Sequence, residues 1–315
     1  RLGMWIMIRE GSIRRDLKEI IPHVLSHGIN LDRLMFCSDG LDPLDIVKYG
    51  HIDHCVRESI KLGLKPIDAI SMASKNCFNY YNMDKDLGGI APGKLADILI
   101  FDDLESMKPN KVFVGGKLVV SNGSIVASIK KKTIPQWIKN TVKLKKFSSK
   151  DFTILSKKKN VVATTILMQT EIITKIGSSE LNVKEGNVLA SLDNDVWKVA
   201  AYDRIYGTNK HAIGFLENFG ADIGAFASTW SFHENDMIVI GSNDSDMAVA
   251  SNTLLKNQGG LVVVKSGKII ASLPLELAGI ISTNSFEKVS SDFEQVNNFI
   301  VDSGCKFSRP HLIPL

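Results

Sequence analysis

Asp39 closes the run Leu34-Met-Phe-Cys-Ser-Asp-Gly40, and both its type and its place suit hydrolytic chemistry. Four apolar residues that stop at Ser-Asp-Gly read as a buried strand delivering one carboxylate to a loop at its C-terminal end. In barrels of alternating strands and helices, catalytic groups sit on that edge, because loops vary there while the strands hold still. A carboxylate so placed can ligate a divalent metal and move a proton at neutral pH. The same residues also fit a simpler role, a turn or the N-cap of a following helix. Glu10 follows the apolar residues 4–8, a position suited to the same site. His51 and Asp53 open a helical pattern, where they can reach substrate or merely cap the helix and pair locally.

The elements that must position these groups follow from periodicity. Residues 4–8 read as a fully buried parallel strand, and Ser12 is placed to cap a helix carrying Leu17, Ile20, Ile21 and Val24 at helical spacing. With the strand at 34–37 this makes strand, helix, strand, the unit of a parallel sheet. Ile52, Cys55, Val56, Ile60 and Leu64 predict a second amphipathic helix. Pro66 opens a third, with Ile67, Ile70, Ala73 or Ser74, and Cys77 facing inward. From Gly88 short strands and glycine turns take over, and Gly115-Gly116 signals a hairpin. Residues 128–159 form a polar, lysine-rich connection. Strand-like runs then fall at 160–166, 237–241 and 261–264, with a helix over 246–256 capped from Asn243-Asp-Ser and a hairpin at Ser266-Gly267-Lys268.

At 315 residues the chain has room for two or three domains. Its hydrophobic share of 44% and charged share of 23% are those of an ordinary globular protein. The net charge is only +4, and the lysine runs lack interleaved aromatics, which favours solvated surface over a nucleic-acid interface. Cys37, Cys55, Cys77 and Cys305 show no C-x-x-C pairing, so neither a zinc knuckle nor a disulfide framework is indicated, and reduced thiols suit the cytoplasm. No stretch approaches the roughly eighteen apolar residues of a membrane helix. The start at Arg1, directly before an apolar strand, leads us to expect a fragment.

The segments Arg9-Glu-Gly-Ser12, Phe36-Cys-Ser-Asp39, Gly50-His-Ile-Asp53 and Ala91-Pro-Gly-Lys-Leu-Ala-Asp97 stand in the order and near the spacing of one family. Through them the chain resembles adenine deaminases of the amidohydrolase superfamily. The order of Ile238-Val-Ile-Gly-Ser-Asn-Asp244, Asp246-Met-Ala248, Gly259-Gly260 and Lys265-Ser-Gly-Lys268 resembles that family's C-terminal domain.

The resemblance implies an α/β chain. Residues 1–86 would be the last strands and helices of an incomplete (β/α)8 metallo-hydrolase barrel, and 87–128 part of a small β-sandwich. Residues 129–159 would be the connection and 160–315 the C-terminal α/β domain. It implies hydrolysis of adenine to hypoxanthine and ammonia in purine salvage, at a binuclear centre of divalent metal, manganese or iron, whose other ligands lie in chain not included here. Asp39 would be the catalytic and metal-binding carboxylate, with Glu10, His51, Asp53 and His233 toward the substrate. The partner is then a small purine, not nucleic acid or membrane, in a cytoplasmic enzyme that could be a homo-oligomer.

Two departures matter. Gly40 stands where the family has a second aspartate, and Asp42 could replace that charge only in part. Phe232-His-Glu-Asn-Asp236 stands where the family has His-Asp-x-His-Asn, so His233, Glu234 and Asp236 could rebuild a polar site one residue away. These keep open a related amidohydrolase acting on another cyclic amide or amidine, and a non-catalytic remnant. His23, His27, His54 and His311 carry no useful spacing and are expected at the surface.

Overall fold

The computed structural model describes residues 2–129, 132–231 and 236–313, and the chain divides into two units, residues 1–132 and 133–315. The first unit opens with β1 (Ile6–Arg9), α1 (Leu17–Ser26) and β2 (Leu34–Cys37). The two strands pair in parallel, Ile8 opposite Phe36 and Arg9 opposite Cys37, as strand-helix-strand requires. Four short helices follow: α2 (Pro43–Tyr49), α3 (Ile52–Lys61), α4 (Pro66–Ala73) and α5 (Lys75–Tyr80). Leu17, Ile21 and Val24 of α1 form one stripe, and they bury against Ile8, Phe36, Cys55 and Met72 in a single core.

The inner face of α4 differs from the sequence expectation. Ala69 and Met72 are buried, whereas Ile67 is 66% exposed. The helix breaks at Ser74, which resets the phase, and Asn76 then turns inward to donate to both Leu31 O and Leu34 O at 2.8 Å. Two hydrogen bonds to backbone carbonyls just before and at the start of β2 outweigh the apolar pattern there. After α5 the chain forms β3 (Ile98–Phe101), β4 (Pro109–Val114), β5 (Lys117–Ser121) and β6 (Ser124–Ile125), an antiparallel sheet in sequence order. Gly115 and Gly116 turn β4 into β5 with φ of 54° and 76°, the left-handed pair that a tight hairpin demands.

The second unit is a mixed sheet with two long helices. Its elements are β7 (Asn160–Met168), β8 (Thr174–Lys184), β9 (Asn187–Val188), β10 (Val196–Tyr202), β11 (His211–Glu217), β12 (Ala225–Ser228), β13 (Met237–Gly241), α6 (Asp244–Asn257), β14 (Gly260–Lys265), β15 (Lys268–Pro274) and α7 (Phe286–Asp302). The strand order is β15-β14-β12-β13-β10-β11-β7-β8-β9, and β11 and β7 are its parallel neighbours. Asn243 caps α6, accepting the Asp246 N–H at 2.8 Å. Met247, Ala250 and Leu254 of that helix pack on Ala225, Val239 and Val262.

The lysine-rich stretch before β7 is tied down by its aromatics. Phe147 and Phe152 are buried beside Tyr202, and Asn252 of α6 bonds both the N–H and the C=O of Phe147 at 2.9 Å. Lys143, Lys145 and Lys146 remain exposed. Lys198 of β10 is 1% exposed and donates to Phe152 O at 2.9 Å, Asn187 Oδ1 at 3.1 Å and Asp244 Oδ1 at 2.6 Å. All three ammonium protons are thereby used.

His311 also departs from expectation. It is fully buried, its Nδ1 lies 2.7 Å from Asn297 Oδ1 and its ring meets Phe293 edge-on. No helix among the described residues is long and apolar enough to cross a membrane.

Candidate functional site

Parallel pairing puts the C-terminal ends of β1 and β2 side by side, so the segments after Arg9 and after Cys37 share one edge. They are also clamped together: Glu10 N–H donates to Cys37 O at 2.9 Å, and Ser12 N–H to Gly40 O at 2.8 Å. Between them Gly11 lies so close that a Cβ there would stand 2.6 Å from Ser38 O and 3.0 Å from Gly40 O. Only glycine admits this approach. Ser12 was expected to cap α1, but that helix begins at Leu17 with no side-chain cap, and the Ser12 hydroxyl instead accepts the Asp42 N–H at 2.9 Å.

Asp39 stands at φ 54° with its carboxylate half exposed. Its Oδ2 accepts Arg9 Nη1 at 3.1 Å, and Arg9 is braced in turn by Asp16 Oδ2 through Nε at 3.2 Å and Nη2 at 3.1 Å. The hydrogen bond to Asp39 raises the Arg9 pKa most, against a burial penalty, with Asp16 adding to the rise. Asp39 does not cap the next helix. That role belongs to Asp42, fully buried, whose Oδ1 accepts the Asp45 N–H at 2.9 Å. Committed as a cap, Asp42 does not replace the carboxylate missing at Gly40.

Glu10 is buried at the end of β1. Its Oε2 accepts the Leu17 N–H at 3.4 Å, and its Oε1 lies 3.7 Å from His54 Nε2. His54, expected at the surface, has a side chain only 15% exposed and packs on the Tyr49 ring with centroids 5.3 Å apart. Its spacing of three from His51 on one helix was the available signal.

His51 is exposed at the N-cap of α3, where its backbone N–H donates to Asp53 Oδ1 at 2.7 Å. Asp53 also accepts Arg57 Nη1 at 2.5 Å. Burial opposes ionisation of Asp53, but the Arg57 hydrogen bond and the His51 N–H outweigh it and hold the pKa below its ordinary value.

His233 lies outside the described residues, as do Phe232, Glu234 and Asn235. Asp236 is described, and its charge partly offsets the burial that lowers the pKa of Arg204, whose guanidinium donates to Ala278 O at 3.0 Å.

The first unit thus places Asp39 and Glu10 at the adjacent ends of β1 and β2, with His54 against Glu10, while His51 and Asp53 interact at the start of α3. Among the described residues no three His, Cys, Asp or Glu side chains are grouped to hold a metal ion. Asp39 is moreover ion-paired to Arg9, so the residues present do not by themselves fit a binuclear centre.

A parallel strand pair with a carboxylate at its C-terminal edge is what an amidohydrolase segment would show, and residues 7–119 match the Amidohydrolase family. Residues 171–314, within the second unit, match the adenine deaminase C-terminal domain. Over all of its length the chain is 55% identical to an adenine deaminase of Cenarchaeum symbiosum (strain A), covering 52% of that protein. It is 36% identical to one of Clostridium botulinum (strain 657 / Type Ba4), covering 54% of it. The chain therefore spans about half the length of the curated relatives it matches. A solved structure of a beta-aspartyl dipeptidase from Fervidobacterium islandicum AW-1 is 19% identical over 41% of this chain and 36% of that one, with a TM-score of 0.34. That likeness is too slight to carry weight.

Proposed function

We propose that this chain is the C-terminal part of a metal-dependent adenine deaminase that hydrolyses adenine to hypoxanthine and ammonia. The observation that carries the reading is its 55% identity over its full length to an adenine deaminase, with Asp39 presented at the edge of the β1–β2 pair. In that reaction water adds to the purine carbon bearing the amine, and the amine departs as ammonia. A carboxylate at Asp39 can take the proton from the water and return it to the leaving nitrogen. Arg9 orients that carboxylate, and Glu10, His51 and Asp53 lie toward the substrate, with a substrate-binding role for His233 carried by the sequence resemblance alone.

In the same reading residues 1–86 are the closing part of a (β/α)8 barrel and 87–128 belong to a small β-sandwich. Residues 129–159 connect these to the C-terminal domain at 160–315. The metal is divalent, manganese or iron, and depends on ligands from the remainder of the longer protein. The four free cysteines suit a cytoplasmic enzyme.

A second reading, hydrolysis of another cyclic amide or amidine, is favoured by one observation: Gly40 offers no carboxylate and Asp42 is spent on capping α2. The test is turnover by a protein of the relatives' full length that contains this chain, supplied with manganese or iron. Equimolar hypoxanthine and ammonia from adenine are expected. Turnover of a cyclic amide with none of adenine would select the second reading.

A further inference from the structure

A cleft of about 690 Å³ opens in the first unit between α1 and α3, closed at one end by Tyr49 and Gly50. Its size is within the range of small-ligand sites. Asp39 is not among its lining residues, but Glu10 and Asp53 are, so the cleft adjoins the proposed reaction site on the side away from that carboxylate.

The charges lining it are unbalanced. Arg57 and Lys61 are paired with Asp53 and Glu58, and Arg15 with Asp45 at 2.9 Å. Lys18, Lys48 and Lys108 also line the cleft, and no carboxylate among the described residues lies within ion-pair distance of them. On the acidic side Glu10 remains, engaged by the Leu17 N–H and by His54. The cleft therefore keeps an excess of positive charge in a concavity, where low-dielectric walls strengthen the field.

Tyr49 organises part of this charge. Arg15 Cζ stands 4.8 Å and Lys48 Nζ 5.1 Å from its ring centroid, so both cations rest on one aromatic platform. The phenol is drawn toward ionisation, first by a hydrogen bond with the Lys48 ammonium and then, against a burial penalty, by Arg15. Unpaired ammonium groups are point charges that suit tetrahedral polyanions better than planar carboxylates. The concavity admits a free anion, whereas a membrane surface is too flat to enter.

We propose that this cleft binds a soluble, multiply charged phosphate, the diphosphate group of a small ester, through Lys18, Lys48 and Lys108 with Tyr49 at its end. The assignment goes beyond the proposed deamination: the cleft shares Glu10 and Asp53 with it, but the three lysines have no part in that reaction.

Calorimetric titration of the longer protein that contains this chain with inorganic pyrophosphate, in chloride buffer without divalent metal, tests it. One set of pyrophosphate sites is expected, weakened about tenfold in Lys18→Gln/Lys48→Gln and weakened further by added salt. The control is Lys145→Gln/Lys146→Gln, which alters a second basic cleft in the other unit and should leave the affinity unchanged. All four side chains are exposed, so both variants are expected to keep the native circular dichroism spectrum. Absence of binding, or equal weakening by the two double variants, would overturn the assignment.

Discussion

Lys198→Met should lower the free energy of unfolding by about 3 kcal/mol, the low end of the range for breaking a buried ion pair from one side. The variant keeps roughly the volume of the side chain but leaves Asp244 without its cation, at a site where the lysine is 1% and the aspartate 15% exposed. It also strips the Phe152 carbonyl of the ammonium donor. Burial lowers the Lys198 pKa, and Asp244 only partly offsets it, so the ammonium is held in place by its three acceptors. Loss of that ammonium removes one of the ties between the segment before β7, β10 and the start of α6. Urea unfolding measures the effect. Adding Asp244→Leu should restore part of the loss, because the aspartate would no longer be a buried charge without a partner. A drop under about 1 kcal/mol in the single variant would mean that the pair is solvated rather than buried.

Gly11→Ala should cost about a hundredfold in turnover of adenine by the longer protein while leaving the protein folded. The new methyl group would meet two backbone carbonyls, Ser38 O and Gly40 O, neither of which can rotate away as a side chain could. The loop carrying Asp39 must then shift, and a displacement near 1 Å is enough to misplace a proton-transferring group by that factor. Overpacking of this kind costs about 1–3 kcal/mol. Steady-state rates beside a urea curve separate the two effects. Unchanged turnover in a stably folded variant would show that the position of the Asp39 loop is not set by Gly11.

How much of this could be read from the sequence depends on whether the cause was local. The pairing of β1 with β2, the hairpins at Gly115-Gly116 and Ser266-Gly267, and the Asn243 cap of α6 all rest on neighbours in the chain, and they stand as expected. Helix α7 was missed although Val289, Phe293, Val296 and Ile300 recur at helical spacing, so its signal was present and unused.

Other features had no local signal. Lys198 reads as a surface residue until Asp244, 46 positions on, meets it, and His311 reads likewise until Asn297 and Phe293 enclose it. Asn76 interrupted the apolar face of α4 and α5 because its partners are carbonyls more than forty residues earlier.

In the site itself, Asp39 and Glu10 were legible as groups at strand ends. The Arg9 pairing of Asp39 and the His54 approach to Glu10 were not, since each depends on the turn that follows a strand. Asp42, which the sequence offered as a partial replacement for a carboxylate at Gly40, stands at the N-cap of α2, a role its place before Pro43 could have suggested.

The central claim is that Asp39 carries the proton in the hydrolysis of adenine. The direct measurement is turnover of adenine by Asp39→Asn in the longer protein, with folding checked by circular dichroism and metal content measured in the same preparation. Asparagine keeps the shape and an acceptor oxygen for Arg9 but cannot take a proton, so a loss of at least a thousandfold is expected, on the order of what removing an essential acid–base group costs. Hypoxanthine formation at close to the unaltered rate would contradict it.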